Sequence, residues 1–440
     1  VDIQTINSER RIELRTDEKY LHVMKYMGSK RELLPDIKSE VDSILKGQGG
    51  VLDLFAGTGS VGLYLQDSYS IVSNDIQSYS RVICEALIGA FSPSEIEEFK
   101  EKLIPLRKKF ELHRWDLSTL LGPSLKESNR FVQIPKRGWT EELRHEYLKF
   151  FATFPNPTNG FKTPSADLEN LWRLYQERST NQKQYPYVQT TLLFAEAYFS
   201  LQQAIDIDSL RYAIQEVFHL DSRGYHIAMT ALLYAHSYCS SGTGHFATYR
   251  DLKTLYSITD VFLYRDRVVY DYFLKKLIEI FDYLGASKGN KGMSLAIDYR
   301  DVLASDELAA KYDLIYADPP YSFVHYSRFY HATESLVKYD YQLPQYKGRY
   351  RTDRHQSPFC QGMTVQSAFE EIFKWGALRG KAVLLSYSNT GMISQEAIIK
   401  TAQKYGYRNE VKEVHYEHST LGREGHKSNQ IKELLITFSV

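Results

Sequence analysis

The sequence predicts an α/β fold, a doubly wound sheet interrupted by a long helical segment. Three observations carry this expectation. A short apolar run, Val51–Phe55, enters the loop Ala56-Gly57-Thr58-Gly59-Ser60. A strand–helix rhythm continues through Ser70–Asn74 and Ser78–Ile88. After about 200 residues without that rhythm, apolar strands return at Ser294–Ile297, Asp313–Ala317, Ala382–Tyr387 and Glu433–Ser439. Short apolar strands alternating with helices are the pattern of a sheet covered by helices.

The elements follow in order. Leu33, Leu34, Ile37, Val41, Ile44 and Leu45 lie at helical spacing within Arg31–Leu45, and Pro35 falls in the early turns, where proline is tolerated. Val51–Phe55 is the first strand, and Val61–Gln66 the helix after the glycine loop. Residues 91 to about 285 are helix-rich and aromatic, with loops at Phe154–Ser165 and Ser240–Gly244. Gly285–Gly292 has linker composition. The expected organisation is therefore one α/β domain, residues 20–90 and 290–440, interrupted by a helical insert, residues 91–289.

Composition narrows the function. The chain has 440 residues, with Lys+Arg and Asp+Glu at 54 each. Zero formal charge excludes a polycationic protein, yet a local basic groove can coexist with acidic patches. Three scattered cysteines, Cys84, Cys239 and Cys360, exclude a disulfide scaffold or a cysteine-based zinc module, and a reducing compartment is expected. No apolar run approaches ~18 residues, so no membrane span is expected, and no signal peptide is read. The 13 histidines show no metal-ligand spacing, and His325, His331 and His355 read as local hydrogen-bonders.

Two constellations carry chemistry. Asp53-Leu-Phe-Ala-Gly57-Thr-Gly59 is a glycine loop at a strand's carboxyl end, where backbone can approach a ligand closely. It is neither the dinucleotide fingerprint nor a P-loop. Asp75 ends the next strand and is placed to accept both ribose hydroxyls of a nucleoside cofactor; its bland alternative is a helix N-cap. Asp318-Pro319-Pro320-Tyr321 follows the apolar run Leu314–Ala317. Two prolines fix the backbone and remove amide donors. An acid and rigid carbonyls then clamp an exocyclic amino group, and a tyrosine supplies a stacking face.

On these residues the chain resembles the S-adenosylmethionine-dependent amino-methyltransferases of DNA, and within them the Dam-like adenine methyltransferases. Lys25-Tyr-Met-Gly-Ser-Lys30 is similar to the family's amino-terminal element, and Asp53–Gly59 to its cofactor loop. Asp318–Tyr321 is similar to its adenine-type catalytic tetrad, and His418 through Ile436 to its carboxyl-terminal hairpin. The resemblance covers about residues 20–90 and 290–440. Within the insert, only Gly242–Arg250 resembles the family's glycine–aromatic DNA-contacting loop, which implies DNA contacts for Phe246, Tyr249 and Arg250.

The resemblance implies a Rossmann-like class I methyltransferase domain around a helical target-recognition insert. It implies that Tyr26, Lys30, Asp53, Phe55, Gly57, Gly59, Asp75, Asp298 and Asp318 hold S-adenosylmethionine. Tyr26 stands where the family often has tryptophan. Asp318, Pro319, Pro320 and Tyr321 are the implied catalytic residues, with adenine flipped out of duplex DNA. Lys347, Arg349, Arg351 and Arg354, among aromatic residues soon after the tetrad, read either as a solvated loop or as phosphate and base-edge contacts. Arg423, His426 and Lys427 read the same way.

The expected function is site-specific N6-adenine methylation of double-stranded DNA, either solitary or as partner of a restriction or defence system. The expected setting is the cytoplasm of a prokaryote or phage host, at the nucleoid. Two alternatives stand beside it. N4-cytosine methylation would be favoured by serine at the first tetrad position, where this chain has Asp318. A non-catalytic nucleic-acid-binding module is opposed by the intact set Lys30, Asp75, Asp318 and Tyr321. Dehydrogenase activity is disfavoured by the missing dinucleotide fingerprint.

Overall fold

A computed structural model describes residues 21–28, 30–154, 168–169, 172–173, 176–177, 187–289, 292–321, 323, 325–346, 348–415 and 432–440. The apolar runs form a seven-stranded mixed sheet. Its strands are β1 (Gly50–Asp53), β2 (Ser70–Asn74), β3 (Met293–Leu295), β4 (Leu314–Ala317), β5 (Ala382–Ser388), β6 (Arg408–His415) and β7 (Lys432–Ser439). They lie in the order β3-β2-β1-β4-β5-β7-β6. The first five are mutually parallel, and β7 pairs antiparallel with both β5 and β6.

Register brings the functional ends together. Asp53 lies opposite Ser73 on β2 and Tyr316 on β4, and Asn74 lies opposite Leu295 on β3. From β1 the chain runs outward to β3, then returns to β4 on the other side of β1. The connections leaving β1 and β4 thus run to opposite sides at the carboxyl edge, the place where open α/β sheets leave a crevice for ligands.

Alternation along each strand divides the core between two faces. Leu52, Leu54, Ile315, Leu385 and Ile436 pack on one face with the helix Val365–Leu378. Val51, Ile71, Leu314, Leu384 and Leu435 pack on the other with the helix Leu34–Leu45. Pro35 sits in the first turn of that helix, after the 3-10 turn Arg31–Leu33, where its missing N–H costs no helix bond.

Between β2 and β3 the described chain is helical, from Ser78–Leu87 through Pro93–Leu120 to Val269–Ala286. A capping box between Ser92 and Glu95 starts the 28-residue helix. This region shares one apolar cluster with neighbours on both sides: Val82 and Ile83 precede it, and Tyr330, Leu336 and Tyr339 follow β4. Polar ties reinforce the packing. Asp208 accepts from the Thr190 and Thr191 amides and from the Tyr339 hydroxyl, and buried Arg265 pairs with Glu196 at 2.6 Å.

Two elements depart from expectation. The last helix runs to Ala286, into the segment read as linker. Strand β6, Arg-Asn-Glu-Val-Lys-Glu-Val-His, lies at the sheet edge, where charged residues are tolerated and discourage further strand pairing. Its polarity hid it from an apolar-pattern reading. Cys84, Cys239 and Cys360 are buried, and none is joined in a disulfide among the described residues. Among the described residues, no helix is long and apolar enough to cross a membrane.

Candidate active site

Three acids emerge at the carboxyl edge, Asp53 at the end of β1, Asp75 after β2 and Asp318 after β4. Backbone bonds fix where the chain leaves the sheet. The Leu54 amide donates to the Tyr316 carbonyl at 3.0 Å, and the Ala56 amide donates to the Asn74 carbonyl at 2.8 Å. The glycine loop then turns away. Gly57 has φ +55° and donates its N–H to Asp75 Oδ2 at 3.0 Å. A Cβ there would lie 2.6 Å from the Tyr26 hydroxyl, so only glycine lets the loop pass beneath that ring. Gly59, φ +72°, precedes the helix Ser60–Leu65 and packs against Cys84.

The tetrad is anchored from the opposite end of the chain. Lys30 Nζ lies 3.1 Å from Asp318 Oδ1 and 2.5 Å from Glu433 Oε1. Ser386 Oγ donates to the same Glu433 oxygen at 2.9 Å. Lys30 and Glu433 are almost wholly buried, so this is a desolvated ammonium shared by two carboxylates. Lys30 also stands 5.7 Å from the centroid of the Tyr321 ring, which meets Tyr387 edge-on.

Aromatic walls complete the cleft. Tyr26 stacks on Tyr330 with centroids 4.9 Å apart, and Tyr330 in turn meets Tyr79. The Tyr330 hydroxyl accepts the Met27 amide proton at 2.7 Å. The Tyr26 ring is therefore held in place by other tyrosines. Phe55 meets Phe359 edge-on at 5.3 Å and Tyr299 at 5.8 Å.

Electrostatics distinguish the acids. Burial pushes Asp53 up to about 8, with Asp318 and Asp75 adding to it, and Asp53 Oδ2 has no hydrogen-bond partner among the described residues. Burial pushes Asp75 up to about 6, against the Gln77 and Gly57 amide bonds that favour its charge. Burial also raises Asp318, with Lys30 opposing. Burial alone would depress the Lys30 ammonium, but Asp318 and Glu433 more than offset it, so Lys30 stays charged at neutral pH.

The cleft encloses about 1080 Å³ of space open to solvent. The structure brings together there Tyr26, Lys30, Asp53, Phe55, Gly57, Asp75, Asp298 and all four tetrad residues. Gly59 stands just behind, outside the lining. Asp298 also caps the helix Tyr299–Ala304 and pairs with Arg300 at 2.8 Å, which holds its carboxyl below the usual range. Sequence reasoning gave no role to Glu433, Ser386, Tyr326 or Tyr330. Only Lys30, a charged residue in the amino-terminal element, could have signalled that a buried acid partner was needed.

The residues assigned to DNA separate into three groups. Lys347, Arg423 and Lys427, with His426, lie outside the described residues. Two assignments are corrected. Arg351 is 4% exposed and bonds Asp340, Asp353 and Ser335, so its guanidinium is consumed inside the protein. The Phe246 side chain is buried in the core, its carbonyl accepts from Tyr198 and His331, and its amide donates to the Phe329 carbonyl at 2.8 Å. The third group is half-buried. Tyr249 stacks on Tyr198 at 4.5 Å, Arg250 pairs with Asp260, and Arg349 and Arg354 lie in the segment after the cleft.

Chemically, the cleft offers the Asp75 carboxyl after β2, an Asp53 Oδ2 without a hydrogen-bond partner among the described residues, and the acid–proline–proline–tyrosine stretch Asp318–Tyr321. The class that this fold and cleft suggest is found independently: residues 26–150 match the family model described as D12 class N6 adenine-specific DNA methyltransferase. The resemblance read from the motifs therefore holds. Among curated proteins, the chain is 24% identical over 429 residues to Modification methylase LlaI of Lactococcus lactis subsp. lactis, covering 94% of this chain and 55% of that protein. It is 23% identical over 433 residues to Modification methylase StsI of Streptococcus sanguinis, covering 94% and 51%. To the Type II methyltransferase M.FokI of Planomicrobium okeanokoites it is 23% identical over 391 residues, covering 87% and 47%. The chain spans about half the length of these relatives.

Proposed function

We propose that this chain is a site-specific DNA adenine methyltransferase that transfers a methyl group from S-adenosylmethionine to the N6 amino group of adenine in duplex DNA. The observation that carries the reading is the Asp318–Tyr321 tetrad, tied to Lys30 and lining one cleft with Gly57 and Asp75. The sheet order and antiparallel β6–β7 pair support a Rossmann-like class I domain, residues 20–90 and 290–440, with residues 91–289 as target-recognition insert.

The cleft residues fit the cofactor. Asp75 would accept the ribose hydroxyls, Asp298 would face the adenine, and Tyr26 and Phe55 would cover its faces. Asp53 also lines the cleft, and a cofactor ammonium brought beside it would favour loss of the proton that burial holds there. When bound, S-adenosylmethionine supplies an electrophilic methyl on a sulfonium.

The chain's own residues do the rest. Asp318 Oδ1 is held by Lys30, so its second oxygen is the one offered to the target amino group. With the Pro319 carbonyl as second acceptor, both amino hydrogens are engaged and the nitrogen lone pair is localised. Alignment and preorganised charge are the main catalytic terms. The methylated nitrogen must lose a proton, and Asp318 is the carboxylate beside it. Tyr321 stacks on the flipped base, offsetting ~1–3 kcal/mol of lost base stacking.

Names of the relatives favour a modification enzyme over a binding module, and a restriction partner in the same cell follows from that reading. A cytoplasmic setting at the DNA goes with it. The deciding experiment sequences methylated bases in DNA from cells expressing this chain. N6-methyladenine within one recurrent sequence supports the reading; unmodified adenine refutes it.

A further inference from the structure

The segment that follows the cleft carries more positive charge than its acids neutralise. Of its arginines, Arg351 is satisfied by Asp340 and Asp353. Arg349, Arg354 and Arg328 differ. Among the described residues none of the three forms an ion pair, although all are half-buried. The Nε atoms of Arg328 and Arg349 are buried and have no hydrogen-bond partner among the described residues.

Two of these arginines, Arg328 and Arg354, share one ring, and Arg349 precedes that ring's residue in the chain. The Arg354 guanidinium lies 4.0 Å from the Tyr350 centroid, and that of Arg328 lies 5.5 Å from it. Tyr350 is fixed by its bridge to Gln345, and the Tyr249 hydroxyl donates to Gly348 at 3.0 Å. The cluster adjoins the cleft through both chains that carry it. Ser327 and His355, neighbours of Arg328 and Arg354, line the cleft, and Ser327 Oγ donates to the His355 carbonyl at 3.2 Å.

Like charges that share an aromatic platform without counter-ions repel one another, and an anion relieves that repulsion. Arginine's planar fork suits phosphate, which it can bind through two parallel hydrogen bonds. The geometry points to a phosphodiester clamp, formed by Arg328 and Arg354 on Tyr350 with Arg349 next to it in the chain, that holds the backbone of the DNA strand beside the nucleotide entering the cleft. This rests on the DNA-methyltransferase reading and adds Arg328, which no motif marked.

The test measures binding of a short duplex containing the methylated site, by fluorescence anisotropy across salt concentration. Arg328→Gln and Arg354→Gln should each lower the log–log salt slope by about one and weaken binding about tenfold at physiological salt. Calorimetric affinity for S-adenosylmethionine should stay within about twofold, which reports a folded cleft. In a second arm, wild-type enzyme meets duplexes in which each phosphate flanking the target is replaced singly by a neutral methylphosphonate. One position should weaken wild-type binding by a similar factor and have no further effect on the double variant.

Unchanged slope and affinity in variants that still bind cofactor would overturn the clamp while leaving methylation intact. Methylphosphonate effects that add to both substitutions at every position would do the same. Thermal stabilisation by inorganic phosphate, with no effect of either substitution on DNA, would assign the cluster to a free anion and also overturn it. A wild-type enzyme that neither binds nor methylates DNA would overturn the functional reading as well.

Discussion

Lys30 reaches from the amino-terminal element to Asp318 on the far side of the sheet's crevice, its ammonium 3.1 Å from Oδ1, with buried Glu433 as a second partner. A buried pair of this kind is weak as a source of net stability but costly to break. Its consequence here is positional: the tetrad's acid is fixed in place and kept ionised at neutral pH.

Lys30→Met should therefore leave two buried carboxylates unpaired. The expected cost is ~3–5 kcal/mol in unfolding free energy, read by denaturant titration. Glu433→Gln should behave differently. The Glu433 charge raises Asp318, so its removal should lower that pKa and move the acid limb of the pH–rate profile downward. An acid limb that stays put or moves upward would detach Glu433 from Asp318.

Asp75 sits at about 6, so it is ionised at pH 7 and largely protonated at pH 5. A protonated carboxyl loses one of its acceptor roles toward a ribose. Cofactor affinity should fall roughly tenfold between pH 7 and pH 5, and Asp75→Asn should flatten that dependence while losing ~1.5–3 kcal/mol at pH 7. Calorimetry at the two pH values decides it.

Asp53 concerns stability. Its folded pKa, about 8, lies above its ordinary value, so the folded protein binds the extra proton and the unfolded chain releases it. Stability from this group should decline as pH rises from about 4 to about 8, by at most roughly 1.4 kcal/mol per pH unit. Asp53→Asn should gain thermal stability relative to wild type as pH rises through that window. A constant difference in melting temperature would mean that Asp53 is already charged in the folded protein.

Arg351 tests the correction to the DNA-contacting residues. Arg351→Ala should cost about 2 kcal/mol or more in stability, since Asp340 and Asp353 lose their partner. Its salt slope for DNA should match wild type, because the guanidinium faces inward.

What was legible in the sequence was local. Strands β1, β2, β4 and β5 each carry a short apolar stretch that needs no distant partner to be recognised, and the glycine loop and tetrad each lie within a few residues. Glu433 was hidden because its role arises only when antiparallel pairing with β5 sets it opposite Ser388, beside Ser386 and Lys30. Arg351 and Phe246 lie in irregular segments. Without helical or strand periodicity, nothing in the order of residues says which side chain turns inward. Strand β6 was masked by its own charges.

In the proposed reaction Asp318 accepts an amino hydrogen of the flipped adenine. The most direct measurement is single-turnover methyl transfer by wild type and Asp318→Ala on duplex DNA, with the products digested and their methylated nucleosides identified. Wild type should yield N6-methyladenine, and Asp318→Ala should be slower by at least ~10²–10³, the cost of one lost preorganised contact, with cofactor and DNA binding largely kept. A wild-type rate in Asp318→Ala, or methylcytosine without methyladenine, would contradict it.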